Sequence, residues 1–181
     1  DFGADKKGKK DSSKAIQKAL DYAIDNGSNS VQIKVVVPKG KYRIDKLLEI
    51  YSNTWLYLED GATIVRNFDK GCMIKNAQAN GAGGYGSERN IVIEGGCWDG
   101  NPSSTSRPFS NMRFGHMKNL WIKNVEIKNN YNGHHVEIGG VKGITIEDCD
   151  FHGYTGTFQK EAIQLDTISN SDVFPAYEPF D

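Results

Sequence analysis

His135, Glu137, Gln164 and Asp166 are residues whose types and spacing could do chemistry. Val136/Ile138 and Ile163/Leu165 are apolar pairs at i, i+2, and side chains alternate across a strand. With both pairs facing inward, His135, Glu137, Ala162, Gln164 and Asp166 share one outward strip. An imidazole beside carboxylates on a rigid face can move protons as general acid and base, or hydrogen-bond sugar hydroxyls. The same strip also reads as an ordinary solvated polar face. His134 is in phase with Val136 and is expected inside, hydrogen-bonded. Strict alternation also points Glu161 inward, where a lone carboxylate is costly, so a functional Glu161 needs a bend at Ala162. Tyr131 and Tyr154 fall at expected turns, where their rings could stack on sugars. His116, His152 and Trp121 have no partner legible from spacing.

The element that would position these groups is a repeat. Leu120, Ile122, Val125 and Ile127 match Ile144, Ile146, Cys149 and Phe151 position by position. The same frame fits Ile91, Ile93, Gly96 and Trp98; Leu56, Leu58, Gly61 and Thr63; and Val35, Val37, Gly40 and Tyr42. A second apolar pair precedes several copies, at Leu48/Ile50, Met112/Phe114 and Val136/Ile138, and Ile163/Leu165 continues the series. Each pair is one face of a strand, and the step between pairs breaks the alternation, so the chain bends there. Short strands joined by bends bury their apolar faces only by stacking, which predicts a parallel β-helix. A β-sandwich is the competing fold, but it has no reason to repeat four in-phase positions.

The chain has 181 residues, 38% of them hydrophobic, and a net charge of −1, enough for one solenoid domain. Basic residues are spread along it, so neither a nucleic acid nor a membrane is an expected partner. No apolar run is long enough to span a membrane, and no signal-peptide pattern is present. Cys72, Cys97 and Cys149 form no even disulfide set and no metal spacing, which leaves the compartment open. Asp148 and Asp150 flank Cys149 and point outward, but calcium needs more oxygen ligands than this pair offers. No cofactor is therefore expected, and calcium is the one ion the pattern would admit.

Residues 1–30 read as a cap: Asp11-Ser12-Ser13 can start a helix, Ile16, Leu20, Ala23 and Ile24 follow at helical spacing, and Asn26-Gly27 ends it. Such a helix would cover the open end of the stack. Residues 31–166 carry the turns, with loop insertions at 75–89 and 99–110. The first insertion contains a chance G-x-G-x-x-G that lacks the strand–helix context of a nucleotide site. Residues 167–181 read as a loop leading to a further turn, so the chain is expected to be truncated at its C-terminal end. It would then continue into a longer helix or stack on another copy there. The start at Asp1 likewise suggests removed upstream sequence.

Asp1-Phe2-Gly3-Ala4, the helix from Asp11 to Leu20, Val37-Pro38-Lys39-Gly40-Lys41-Tyr42 and Leu58-Glu59-Asp60-Gly61-Ala62 resemble the N-terminal part of pectate-lyase-like right-handed β-helix proteins. The run from Asn90 to Asn101 resembles the polygalacturonase family of glycoside hydrolases more specifically. That family hydrolyses acidic polysaccharide with inversion, using separated carboxylates. Its motif Asn-Thr-Asp-Gly-Ile-Asp aligns with Gln159-Lys160-Glu161-Ala162-Ile163-Gln164, which implies Glu161 as the acid. Gln159 and Gln164 stand where the motif has Asn and Asp. The resemblance implies a secreted or cell-surface protein whose partner is acidic or cell-wall polysaccharide. Three functions are open: a hydrolase using Glu161 and Asp166 with His135, and Glu137, Gln164, Tyr131 and Tyr154 on the sugar; a noncatalytic glycan-binding, adhesin- or tailspike-like β-helix; and a polysaccharide lyase.

Overall fold

The computed structural model describes residues 2–77 and 83–169. Part of the first expected insertion, and most of the C-terminal loop, lie outside the described residues. The chain winds as a right-handed parallel β-helix. Strand β1 (Lys7–Asp11) and helix α1 (Ser13–Asn26) come first. The first turn is β2 (Ile33–Val37), β3 (Gly40–Ile44) and β4 (Leu48–Ile50). The second is β5 (Thr54–Leu58), β6 (Ala62–Arg66) and β7 (Ile74–Asn76). β8 (Arg89–Glu94) and β9 (Cys97–Asp99) follow, then β10 (Met112–Lys123), β11 (Glu126–Tyr131), β12 (Val136–Glu147), β13 (Asp150–Thr155) and β14 (Ile163–Asp166). β10 and β12 each close one turn and open the next, and every pairing between these strands is parallel.

The interior is the stacked apolar columns. Leu48, Ile74, Met112, Val136 and Ile163 lie in register across successive turns. Ile16 and Leu20 of α1 join this core, so the helix covers the first turn. Ser12 makes no side-chain cap; Asp11 instead accepts the Ser13 N–H at 2.8 Å. Gly27 ends the helix in an extended conformation, because a side chain there would strike the Ala23 carbonyl.

Two features of the repeat frame are corrected. Leu56 pairs with Ile93, not Ile91, and Ile64 rather than Thr63 stands in the column of Tyr42 and Trp98. The cause lies at the corners. Gly61, at φ +76°, adds a residue before β6, and Gly95 and Gly96 fold tightly beneath Leu58. A Cβ on Gly95 would sit 2.3 Å from the Leu58 carbonyl oxygen, so only glycine passes there.

Another corner is held by asparagines. Asn53, Asn90 and Asn119 all have positive φ, and their amides chain together, Asn90 to Asn53 and Asn119 to Asn90, each at 2.9 Å. Asparagine tolerates this left-handed backbone, and stacking lets each side chain satisfy the next.

Candidate functional site

The middle residue of each second apolar pair faces out, which builds one row across the stack. Glu49 pairs with Lys75, Lys75 with Arg113, Arg113 with Glu137, and Glu137 with Gln164. Opposite charges close on each other within it: Lys75 lies 3.1 Å from Glu49, and Arg113 2.6 Å from Glu137. One Glu137 oxygen accepts from Arg113 Nε and Nη2 at 2.8 and 2.6 Å and from Ser110 Oγ at 2.8 Å.

Glu137 is nevertheless only 5% exposed, which corrects its expected place on an open strip. The second insertion covers it. Phe109 bridges to Tyr131, and Asn111 and Met112 donate to the His134 and His135 carbonyls, both at 3.0 Å. Gly133 makes room, since a Cβ there would lie 2.2 Å from the Phe109 oxygen.

His135 is also corrected. It is 4% exposed, its Nε2 lies 2.9 Å from the His152 carbonyl oxygen, and its ring meets Phe151 edge-on at 6.0 Å. The residue precedes β12, so strand alternation does not govern it, and it turns under β13. Burial pushes its pKa down. His134 is buried too, with Nδ1 2.8 Å from the Glu161 carbonyl oxygen and 3.7 Å from its carboxylate. Glu161 itself points to solvent, its side chain 74% exposed, because the chain bends at Ala162 before β14 begins. Asp166 is exposed and accepts the Thr167 N–H at 2.7 Å; Gln164 is half-buried beside Glu137.

The structure thus brings Arg113, Ser110, Glu137 and Gln164 together, and joins His134 to Glu161. It does not bring His135 to that row. Tyr131 and Tyr154 belong to β11 and β13 rather than to turns, and the Tyr154 hydroxyl contacts Phe158 O and Asn132 Oδ1. Arg113 and Lys75 were missed from the sequence; Arg113 occupies the middle of an apolar pair, as Glu137 does, whereas Lys75 lies between Ile74 and Asn76 and had no such signal. On the sheet face next to His135, Glu126 accepts from Lys128 at 3.0 Å and is 2.9 Å from His152 Nε2. Chiefly through the Lys128 bond, the Glu126 carboxyl is pushed down to about 2. Among the described residues, no group of three or more His, Cys, Asp or Glu is placed to hold a metal ion.

Residues 1–173 match a family model described as rhamnogalacturonase A/epimerase, pectate lyase-like. The chain belongs to this family. A relative within reach of sequence comparison is the plasmin and fibronectin-binding protein A of Streptococcus pneumoniae, 28% identical over 93% of this chain. The chain spans 27% of that relative's length. The structure of the pneumococcal surface protein and adhesin PfbA superposes with a TM-score of 0.81 at 23% identity, covering 99% of this chain and 48% of the adhesin. The A-module of the Azotobacter vinelandii mannuronan C-5 epimerase AlgE4 superposes at 0.63 with 18% identity, covering 93% of this chain and 53% of that one. Among the described residues of this pectate lyase-like chain, no helix is long and apolar enough to cross a membrane.

Proposed function

We propose that this chain forms part of a surface or secreted β-helix protein that binds glycan around the accessible Gln164, beside the buried Arg113–Glu137 pair, without cleaving it. The observation that carries this reading is the burial of His135 and Glu137, which leaves the exposed Glu161 and Asp166 without the His135 imidazole expected to work with them. Glu137 has one oxygen holding three donors and is buried, and His135 is buried with Nε2 committed to a backbone carbonyl. A general acid or base must reach the proton it moves. The self-neutralised Arg113–Glu137 pair instead makes a rigid support on which the accessible Gln164 amide can hydrogen-bond hydroxyls, and the adhesin relative supports a binding role.

A hydrolase is the second reading, favoured by one observation: the Glu161 carboxylate is exposed and lies 3.7 Å from His134. The test is to incubate the full-length protein with polygalacturonate and cell-wall oligosaccharides, following binding by calorimetry and cleavage by reducing-end release. Binding without new reducing ends, unchanged in Glu161→Gln, is the expected result. Reducing ends that vanish in Glu161→Gln would transfer the assignment to hydrolysis. An ultraviolet-absorbing unsaturated product would transfer it to a lyase.

A further inference from the structure

A second row of outward side chains, on the β2–β5–β8–β10–β12 face, is not accounted for by the site above. Lys34 pairs with Trp55, Trp55 with Val92, Val92 with Trp121, and Trp121 with Thr145. The repeat frame read from sequence would set Trp55 opposite Asn90. The observed register between β5 and β8 sets it opposite Val92 instead, in line with Trp121. Adjacent strands lie about 4.8 Å apart, so the two indoles stand roughly 10 Å apart with the short Val92 between them. The result is a notch of about 250 Å³ lined by Gln32, Trp55, Val92, Trp121, Lys123 and Glu147.

These rings do nothing for the interior columns. Trp121 is 42% exposed and Trp55 and Val92 are half-buried in the same row, so the three form one contiguous apolar patch and not a lone exposed ring. The charges around the notch balance in number. Lys34 Nζ lies 4.0 Å from the centroids of both Trp55 and Tyr57, Lys123 Nζ lies 5.6 Å from the Trp55 centroid and 3.5 Å from Glu94, and Glu147 completes two cations against two carboxylates. Neither an anion nor a cation is therefore called for. The ligand needs an apolar face for indole and a polar edge for the Lys123, Glu147 and Gln32 side chains. A pyranose ring has both, and the notch is smaller than a typical drug-sized pocket.

We propose that the notch between Trp55 and Trp121 is a glycan-docking subsite for a neutral pyranose, at the other end of β10 from the Arg113–Glu137 row. It does not depend on the function proposed above.

The test is an indole-fluorescence titration of the intact protein with neutral trisaccharides of glucose (β-1,4 and α-1,4) and galactose (β-1,4). Trp98 of this chain is fully buried, so the part of the signal that disappears in Trp121→Phe and Trp55→Phe reports the notch. A saturable change is expected with at least one probe. Affinity, read by calorimetry, should fall about tenfold in Trp121→Ala and similarly in Val92→Phe, which fills the notch without removing a ring. Lys14→Ala, an exposed position on the capping helix, should bind as wild type. No saturable change with any neutral probe, or affinity retained in both notch variants, overturns the proposal. Neutral-probe affinity lost in Gln164→Ala but kept in both notch variants also overturns it, and assigns the neutral sugar to the other row.

Discussion

Arg113 closes on Glu137 across one rung of the sheet, its Nε and Nη2 at 2.8 and 2.6 Å from the same carboxylate oxygen. The Glu137 side chain is 6% exposed and Arg113 19%, so water does little to replace either partner. Removing one member of a buried pair strands the other charge. Arg113→Met is expected to lower unfolding free energy by about 3–5 kcal/mol, and Arg113→Met/Glu137→Met to recover most of it. Urea midpoints of wild type, Arg113→Met, Glu137→Met and the double variant check this; an additive double mutant would contradict the pairing.

Asn90 sits in the middle of the asparagine chain with φ +55°, donating to Asn53 and accepting from Asn119. Asn90→Ala loses both bonds and forces a strained backbone, at an expected cost of about 2–3 kcal/mol. Asn90→Gly loses the same bonds but keeps the conformation, so about half that cost is expected. Equal melting temperatures for the two variants would show that backbone strain contributes nothing.

Arg66 is fully buried between the rings of Phe68 and Phe109, at 4.3 and 4.0 Å from their centroids, and bonds Gly71 O and Ser104 Oγ. It ties the second insertion to the stack, and burial pushes its pKa down to about 10. Arg66→Leu should loosen that insertion, so amide hydrogen exchange at residues 101–110 rises while β11 and β12 keep their protection. Unchanged exchange in the insertion would assign its order to the Phe109–Tyr131 bridge instead.

The Glu126 carboxyl has a folded pKa of about 2 against an ordinary 4.5. A depressed acid contributes stability that is present above its unfolded pKa and is lost as pH falls through the folded value. The group is partly exposed and screened, so the effect is modest. Thermal melts are expected to show wild type above Glu126→Gln at pH 6, with the gap closing between about pH 4.5 and 2. A gap independent of pH would remove the electrostatic account.

His135 shifts the same way for a different reason. Burial lowers its pKa below 6.5, so below that pH the unfolded chain binds a proton that the native one resists. This contribution is intact above pH 6.5 and declines as pH falls from there. His135→Phe should flatten the stability profile below pH 6.5 relative to wild type, after allowance for the lost bond to His152, and titration of the imidazole by NMR reads the shift directly.

The sequence by itself determined the architecture. Apolar pairs at i, i+2, repeated in phase, can be buried only by stacking, and Leu48, Met112, Val136 and Ile163 do stack in one column. It also implied the outward row, since the residue between two inward ones must face out; Arg113, between Met112 and Phe114, was as legible as Glu137, while Lys75, followed by Asn76, was not. Tertiary structure alone decided what covers that row and which rows align. Nothing local to Glu137 shows that Ser110, from a distant insertion, caps it. Strand alternation stops at strand ends, so His135 and Glu161 obey loop geometry and go opposite ways, one inward and one to solvent. Corner lengths set the register, and one added glycine at Gly61 with the tight Gly95-Gly96 bend moved Ile64 and Trp55 into columns that counting along the chain would not give them.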